Sequence, residues 1–519
     1  MNQKNILLVG GLFAFLVVIA FLTFNNPVVS GDLAEWINNP IRMLHGDMPY
    51  IDFWLLFTPY EVLLPAVIYL VFGINVNLML LISNAILPAL VGVFVFLLVR
   101  KYMGKSRLAL LAALLIFFNG ISFEFLDYTY VYFLFLLGAV YFFVDFINPK
   151  IESKKTLLFC AGIMIGFAFL FRVYVVGAFF TAMLITLAIE TRKIKPMLFF
   201  IAGTAVILLV MLLPFINLWV PMVEQVLFKS VSTNLTTSVP YFYHMDNYLR
   251  MLPLAPNIFH AGYLFLRLLN TFFAYLLPFI CASAFLWLRF KKKLTGETKA
   301  IATLLFFWMV LSFPKAMSLS FISHLGYTIL PAILLLVLLW WESFKTENKF
   351  INVWIGVTIL ILLIPVLTFA VPLAYELGRE QYKVSAPYGE LPIKNPEEAR
   401  DIQKVINYIT ENTNEGDYIF VTPWFAPPFY ALTNRLNPTY YDSLGQVIFK
   451  NDENDQKKIC EDLIQAKTKV IVHNPDFGFS SDGGGITFRN QAAYLQSCIE
   501  ENFNLVEEFG RYQIYIWGD

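Results

Sequence analysis

Apolar residues fill the first three quarters of this chain in long blocks, interrupted by short basic clusters. Blocks near 6–24, 77–99, 198–219, 262–288 and 351–374 each approach the roughly 20 residues that a helix rising about 1.5 Å per residue needs to cross a bilayer. Three longer blocks, 108–146, 156–189 and 300–341, would form helices of roughly 50–65 Å, too long for a hydrocarbon core of about 30 Å. Basic residues bound each of them at both ends, so each reads as a hairpin of two spans. Eleven spans are expected. Residues 59–73 are apolar too, but the segment is short and opens with Pro59. It fits a helix lying along the outer interface rather than a further span.

Charge then assigns the sides. Arg100, Lys101, Lys105 and Arg107 form one basic loop, and Lys150, Lys154 and Lys155 the next on the same side. Arg192, Lys193 and Lys195 follow, then Arg289 with Lys291 to Lys293, then Lys345 and Lys349. The opposite loops before residue 376 hold only Arg42, Arg172, Lys229, Arg250 and Lys315. Cytoplasmic loops carry the excess of Lys and Arg, so the N-terminus is expected inside and the C-terminal region outside. The apolar run to Phe24 lacks a small-residue cleavage site and reads as an uncleaved anchor.

After Tyr375 the pattern changes. Pro396–Asn412 is periodic as an amphipathic helix, Asp417–Val421 as a short strand, and Asp455–Ala466 as a helix. Lys469–His473 reads as a strand, Asn490–Asn502 as a helix and Tyr512–Trp517 as a closing strand. The expected fold class is therefore an all-α polytopic membrane bundle of about eleven helices, N-in and C-out, over 1–375. A small α/β extracytoplasmic domain over 376–519 follows it. Composition agrees: 58% of the 519 residues are hydrophobic and 14% charged, against roughly 45–50% and 25% in soluble domains. A net charge of zero gives no sign of a nucleic-acid partner and leaves the lipid bilayer as the evident one. Cys160 and Cys281 sit in apolar blocks, whereas Cys460 and Cys498 lie in the polar tail, where one disulfide can form. No Cys/His metal spacing occurs.

Ionisable residues avoid the middles of the spans and collect at their outer ends. The first outer loop, 25–76, carries Asp32, Glu35, Arg42, His45, Asp47 and Asp52. Later outer turns carry Glu124 and Asp127, then Arg172, then His244, Asp246, Arg250, His260 and Arg267, then Lys315 and His324. A carboxylate at this level can take the proton of an acceptor hydroxyl, and cations can neutralise a phosphate leaving group. Arg172 is the first choice for that phosphate, because a guanidinium binds it as a fork; Arg267, His324 and Asp52 are further candidates for contact with donor or substrate. Plainer roles stand beside these: Asp52 pairing locally, Asp127 capping a helix, Arg172 snorkelling to lipid. The alternative function is a polytopic transporter or flippase of lipid-linked or small solutes. Ion-coupled carriers place ionisable groups at the midplane, which this chain does not.

The first loop also resembles that of the GT-C glycosyltransferases, multi-span enzymes that use polyprenyl-phosphate sugars, among them protein O-mannosyltransferases and the aminoarabinose transferases of lipid A. The likeness rests on Asp32 followed by Gly46-Asp47-Met48-Pro49-Tyr50-Ile51-Asp52-Phe53 and a short apolar helix ending at Phe72-Gly73. Asp127, the turn from Lys315 to His324 into Leu325–Ala332, and Tyr430–Thr439 extend it over nearly the whole chain. The turn departs from the pattern by lacking the Arg-x-Asp often found before the histidine. The resemblance implies an inverting transferase of the bacterial cytoplasmic membrane, passing a sugar from a polyprenyl-phosphate donor to a glycan, lipid or protein acceptor. Asp32 would be the general base and Asp127 a positioning acid, with the outer stretch 221–261 a lid. No cofactor follows from the residues; the resemblance leaves open a divalent metal held with the help of Asp127.

Overall fold

The computed structural model describes residues 3–23, 31–55, 58–122, 129–152, 154–229, 243–255, 257–318, 322–345, 349–368, 382–393, 395–422, 428–441, 452–476, 488 and 492–518. Each of the eleven expected spans coincides with a helix among them. Seven are long and apolar enough to cross a membrane, including Val76–Met103, Ile194–Val226 and Ile258–Phe290. Shorter apolar helices occupy Ile6–Leu22, Ser106–Gly120 and Asn352–Thr368. Each of the three long blocks contains two helices: Ser106–Ser122 and Thr129–Ile147, Lys154–Phe169 and Val173–Thr191, and Gly296–Ser318 and Ile322–Lys345. Residues 59–73 form one short helix, Tyr60–Phe72. Helix ends follow local chemistry. Gly104, at φ 66°, closes the helix ending at Met103, with Arg100 and Lys101 in the last turn facing its negative dipole end.

The chain divides into two compact units. One comprises Met1–Leu22, Ser83–Ile216 and Ser230–Tyr375; the other comprises Thr23–Ile82, Asn217–Lys229 and Glu376–Asp519. The first is the helical bundle. In one close crossing Lys154–Phe169 meets Ile194–Leu212, where a Cβ on Gly162 would collide with the Phe200 carbonyl oxygen and one on Gly203 with that of Phe159. Absent side chains let the backbones touch, as small residues do between membrane helices. Thr204 donates its hydroxyl across the crossing to the Gly162 carbonyl at 3.1 Å.

The second unit carries the strands. A four-stranded sheet runs in the order β3 (Ile419–Val421), β4 (Val470–His473), β6 (Tyr512–Trp517), β5 (Phe503–Phe509), with only β3 and β4 parallel. Beside it, β1 (Tyr382–Ala386) and β2 (Gly389–Ile393) form a separate antiparallel hairpin. The helix Pro396–Asn412 starts as its sequence dictates, with Asn395 accepting from Glu397 and Glu398 and Pro396 at the first position. Helices Glu453–Gln465 and Ala493–Asn502 are joined by a disulfide between Cys460 and Cys498. Both cysteines sit in the apolar core with Ile459, Leu463, Ile471 and Ile499.

Candidate active site

Of the first two helices, Gln3–Thr23 (α1) and Gly31–Leu44 (α2), the second holds Asp32 as its second residue. Asn38 and Arg42, four residues apart on one face of α2, and His45, just past its last residue, reach the polar tail. Asn38 Oδ1 accepts the Ala431 amide at 3.0 Å, Arg42 Nη1 donates to the Thr439 carbonyl at 2.8 Å, and His45 Nε2 lies 3.3 Å from Asn434 Oδ1. The first-loop motif and the tail segment Tyr430–Thr439, 390 residues apart and singled out separately in the sequence, are thus docked on each other.

Arg42 is the hub. It is 6% exposed, and its guanidinium uses three directions. Nε bonds Asp47 Oδ2 at 2.7 Å, Nη2 bonds the Asp52 carbonyl at 2.9 Å, and Nη1 bonds Thr439; one face lies 5.0 Å from the Phe53 ring centre. A buried cation is tolerable only when paired and hydrogen-bonded this fully. The motif from Gly46 to Phe53 is the loop that wraps it. Gly46 turns at φ 103°, and Tyr50, a bulky side chain, adopts φ 69°, a conformation that costs of order 1–2 kcal/mol outside glycine. Its surroundings hold it there. The Tyr50 amide donates to the Phe53 carbonyl at 2.7 Å, and the Tyr50 carbonyl accepts from Gln225 Nε2 at 3.1 Å and Tyr440 Oη at 3.3 Å. Burial, reinforced by the Glu61 carboxylate, pushes the Tyr50 hydroxyl well above its ordinary pKa.

Gln225 joins three segments. Its Oε1 accepts the Leu55 amide at 3.2 Å while its Nε2 donates to the Tyr50 carbonyl and to Tyr440 Oη at 2.6 Å. Trp54 completes the seam: its amide donates to the Tyr440 carbonyl at 2.7 Å, and its ring stacks edge-on against Tyr441 at 5.0 Å. At the far end of the first loop, the β1–β2 turn lies on Asn75–Asn77. The Val76 amide donates to the Tyr388 carbonyl at 3.0 Å and the Glu390 amide to Asn77 Oδ1 at 2.7 Å. Gly389 is required there, since a Cβ would stand 2.6 Å from Asn77 Oδ1. Tyr388 Oη donates to Glu415 at 2.6 Å, and chiefly this bond lowers the Glu415 pKa.

The six residues selected from sequence fall as follows. Asp32 and Asp52 belong to the unit just described; Arg172, Arg267 and His324 belong to the bundle. Asp52 turns its carboxylate back into its own loop, accepting the Met48 amide at 2.7 Å. Arg172 caps the N-terminus of Val173–Thr191 in extended conformation and is half-buried. Arg267 lies in the third turn of Ile258–Phe290, with Nη2 3.5 Å from Tyr248 Oη. His324 is the third residue of Ile322–Lys345. Asp127, and residues 230–242 of the expected lid, lie outside the described residues. Among the described residues no group of three His, Cys, Asp or Glu side chains could hold a metal ion. Sequence reasoning passed over Gln225, Asn38 and Tyr440. A polar pair, Glu224-Gln225, inside the otherwise apolar stretch 219–228 is the available signal.

No protein-family model matches this chain, and no curated protein matches it in sequence. Solved structures do. ArnT from Cupriavidus metallidurans in the apo state is similar with a TM-score of 0.57 at 12% identity, covering 99% of this chain and 98% of that one. The same protein bound to undecaprenyl phosphate gives 0.55 at 13% identity, with the same coverage. The Archaeoglobus fulgidus oligosaccharyltransferase, in complex with Zn and sulfate, gives 0.50 at 15% identity, covering 90% of this chain and 68% of its own. This multi-span chain with its small C-terminal sheet domain therefore has the fold of the GT-C glycosyltransferases.

Proposed function

We propose that this protein is an inverting membrane glycosyltransferase that moves a sugar from a polyprenyl-phosphate carrier to an acceptor outside the cytoplasm. The observation that carries the reading is end-to-end likeness in fold to a protein that binds undecaprenyl phosphate, combined with an acid at the start of α2 in the first loop. Asp32 removes the acceptor hydroxyl proton, the acceptor oxygen attacks the anomeric carbon, and the bond to the phosphate oxygen breaks with inversion. The transition state is oxocarbenium-like, by analogy with glycoside chemistry. Charge grows on the leaving phosphate, and Arg172 is the cation assigned to it, with Arg267 and His324 as secondary contacts. Asp127 positions donor or acceptor.

The Cys460–Cys498 disulfide supports an outward-facing C-terminal domain, because such bonds persist in oxidising compartments and are rare in the cytosol. The bacterial cytoplasmic membrane is the expected location, and the acceptor a glycan, lipid or protein. Transfer of radiolabelled sugar from polyprenyl phosphate, measured in membranes, tests the reading. Asp32→Asn at wild-type expression should reduce transfer by about 100-fold or more, the scale of a lost general base. Transfer that survives this change removes Asp32 from the chemistry, and wild-type membranes inactive with every polyprenyl-phosphate sugar remove the function.

A further inference from the structure

We infer that the helical bundle carries a binding site for the headgroup of a zwitterionic aminophospholipid, in the cavity where its basic loops converge. The cavity measures about 680 Å³, within the roughly 300–1,000 Å³ of small-ligand sites. It is lined by residues at the ends of Val76–Met103, Thr129–Ile147 and Val173–Thr191 and at the starts of Lys154–Phe169 and Gly296–Ser318. These helix ends are where Lys101, Lys150, Lys154, Arg192 and Lys193 cluster, the level at which basic residues meet lipid headgroups.

The polar floor of the cavity satisfies itself. Tyr102 Oη and Thr298 Oγ1 are 2.6 Å apart, and Thr298 donates on to Glu342 at 3.2 Å, which Lys345 pairs at 2.6 Å. Glu190 is paired twice, by Lys299 at 3.0 Å and Arg289 at 3.5 Å. Two charges remain. Lys154 and Glu297 both line the cavity and are both half-buried. Among the described residues neither forms an ion pair; Lys154 has only the Phe146 ring, 5.9 Å away.

Half-burying opposite charges without partners is costly, and a ligand of one sign would satisfy only one of them. A ligand carrying both satisfies the pair: phosphate on Lys154, primary ammonium on Glu297. The wall of Phe143, Phe146, Ile147 and Leu187 then receives the glycerol backbone and the first methylenes of the chains. A quaternary choline headgroup donates no hydrogen bond to Glu297, and phosphatidylglycerol offers it no cation. This site is independent of the glycosyl-transfer reading.

The test is native mass spectrometry of the delipidated full-length protein, titrated with phosphatidylethanolamine, phosphatidylcholine and phosphatidylglycerol of matched chains. Phosphatidylethanolamine should be retained about fivefold better than either of the others, the scale of partly exposed ion pairs. Lys154→Gln and Glu297→Gln should each abolish that preference at unchanged thermal midpoint, and Lys154→Arg should keep it. Equal retention of phosphatidylglycerol or phosphatidylcholine overturns the proposal, as does a preference that survives both neutral substitutions.

Discussion

Where Lys154–Phe169 crosses Ile194–Leu212, two backbones meet because Gly162 and Gly203 bring nothing between them. Where α2 and the loop after it meet the segments docked on them, contact is made by side chains reaching for another segment's backbone: Asn38 to Ala431, Arg42 to Thr439, and Gln225, from Glu224–Lys229, to Tyr50 and Leu55. The first interface is a matter of volume. Lipid tails are as apolar as leucine, so helices in a bilayer associate through close packing rather than apolar burial. The second is a matter of polar satisfaction, since every buried amide and carbonyl in that seam needs a partner. One interface should fail when atoms are added, the other when hydrogen bonds are removed.

Arg42→Ala should have the largest effect. It strands the Thr439 and Asp52 carbonyls and leaves Asp47 without its partner, a loss of about 3 kcal/mol. Thermal unfolding of the full-length protein in detergent measures it. Arg42→Lys should recover only part, since one ammonium cannot serve three fixed directions; full recovery would mean that charge alone holds the loop. Next in size is Gly203→Ala, where the new methyl meets the Phe159 carbonyl and the helices must part, costing about 1–3 kcal/mol. Gly177→Ala is its control, also within a helix but with nothing within 4 Å of the added Cβ. It should be neutral or slightly stabilising, and equal losses at 177 and 203 would sink the packing argument.

The smallest expected effect is one of pH. The Tyr388 hydroxyl lowers the Glu415 pKa. The stability this contributes is therefore complete above the ordinary glutamate value and is lost as pH falls through the lower folded value. Tyr388→Phe should make the acid limb of a stability–pH profile shallower. An unchanged limb would assign that limb to other carboxylates. Because Glu415 is exposed, solvent screening keeps the change small.

Run length and basic boundaries located the spans, the two helices in each long block, and the helix Tyr60–Phe72. Apolar runs have a length that the bilayer dictates, and basic residues punctuate them. In the tail, Pro396–Asn412 is legible to the residue because it buries one regular face, and Tyr512–Trp517 because it is a run of aromatic and β-branched residues. The strand Phe503–Phe509 was not. It lies at the sheet edge with residues 504–508 all exposed, and a strand without a buried face has no alternation to read. The hairpin of β1 and β2 escaped for the related reason that only Val384 and Leu391 are buried in it.

The candidate site shows the same division. The sequence by itself determined that ionisable residues are rare in the middles of the spans, and that Asp32 precedes the compact motif Gly46–Phe53. Only tertiary structure decided what that motif does: it encloses Arg42, and it is clamped by Gln225 and Tyr440 from 175 and 390 residues away. It also decided that Cys460 and Cys498 are bonded to each other. Local patterns record which face of an element is buried, because burial repeats with the element's period. A hydrogen bond between distant segments has no period, so a lone Gln or Arg discloses its partner only once the chain has folded.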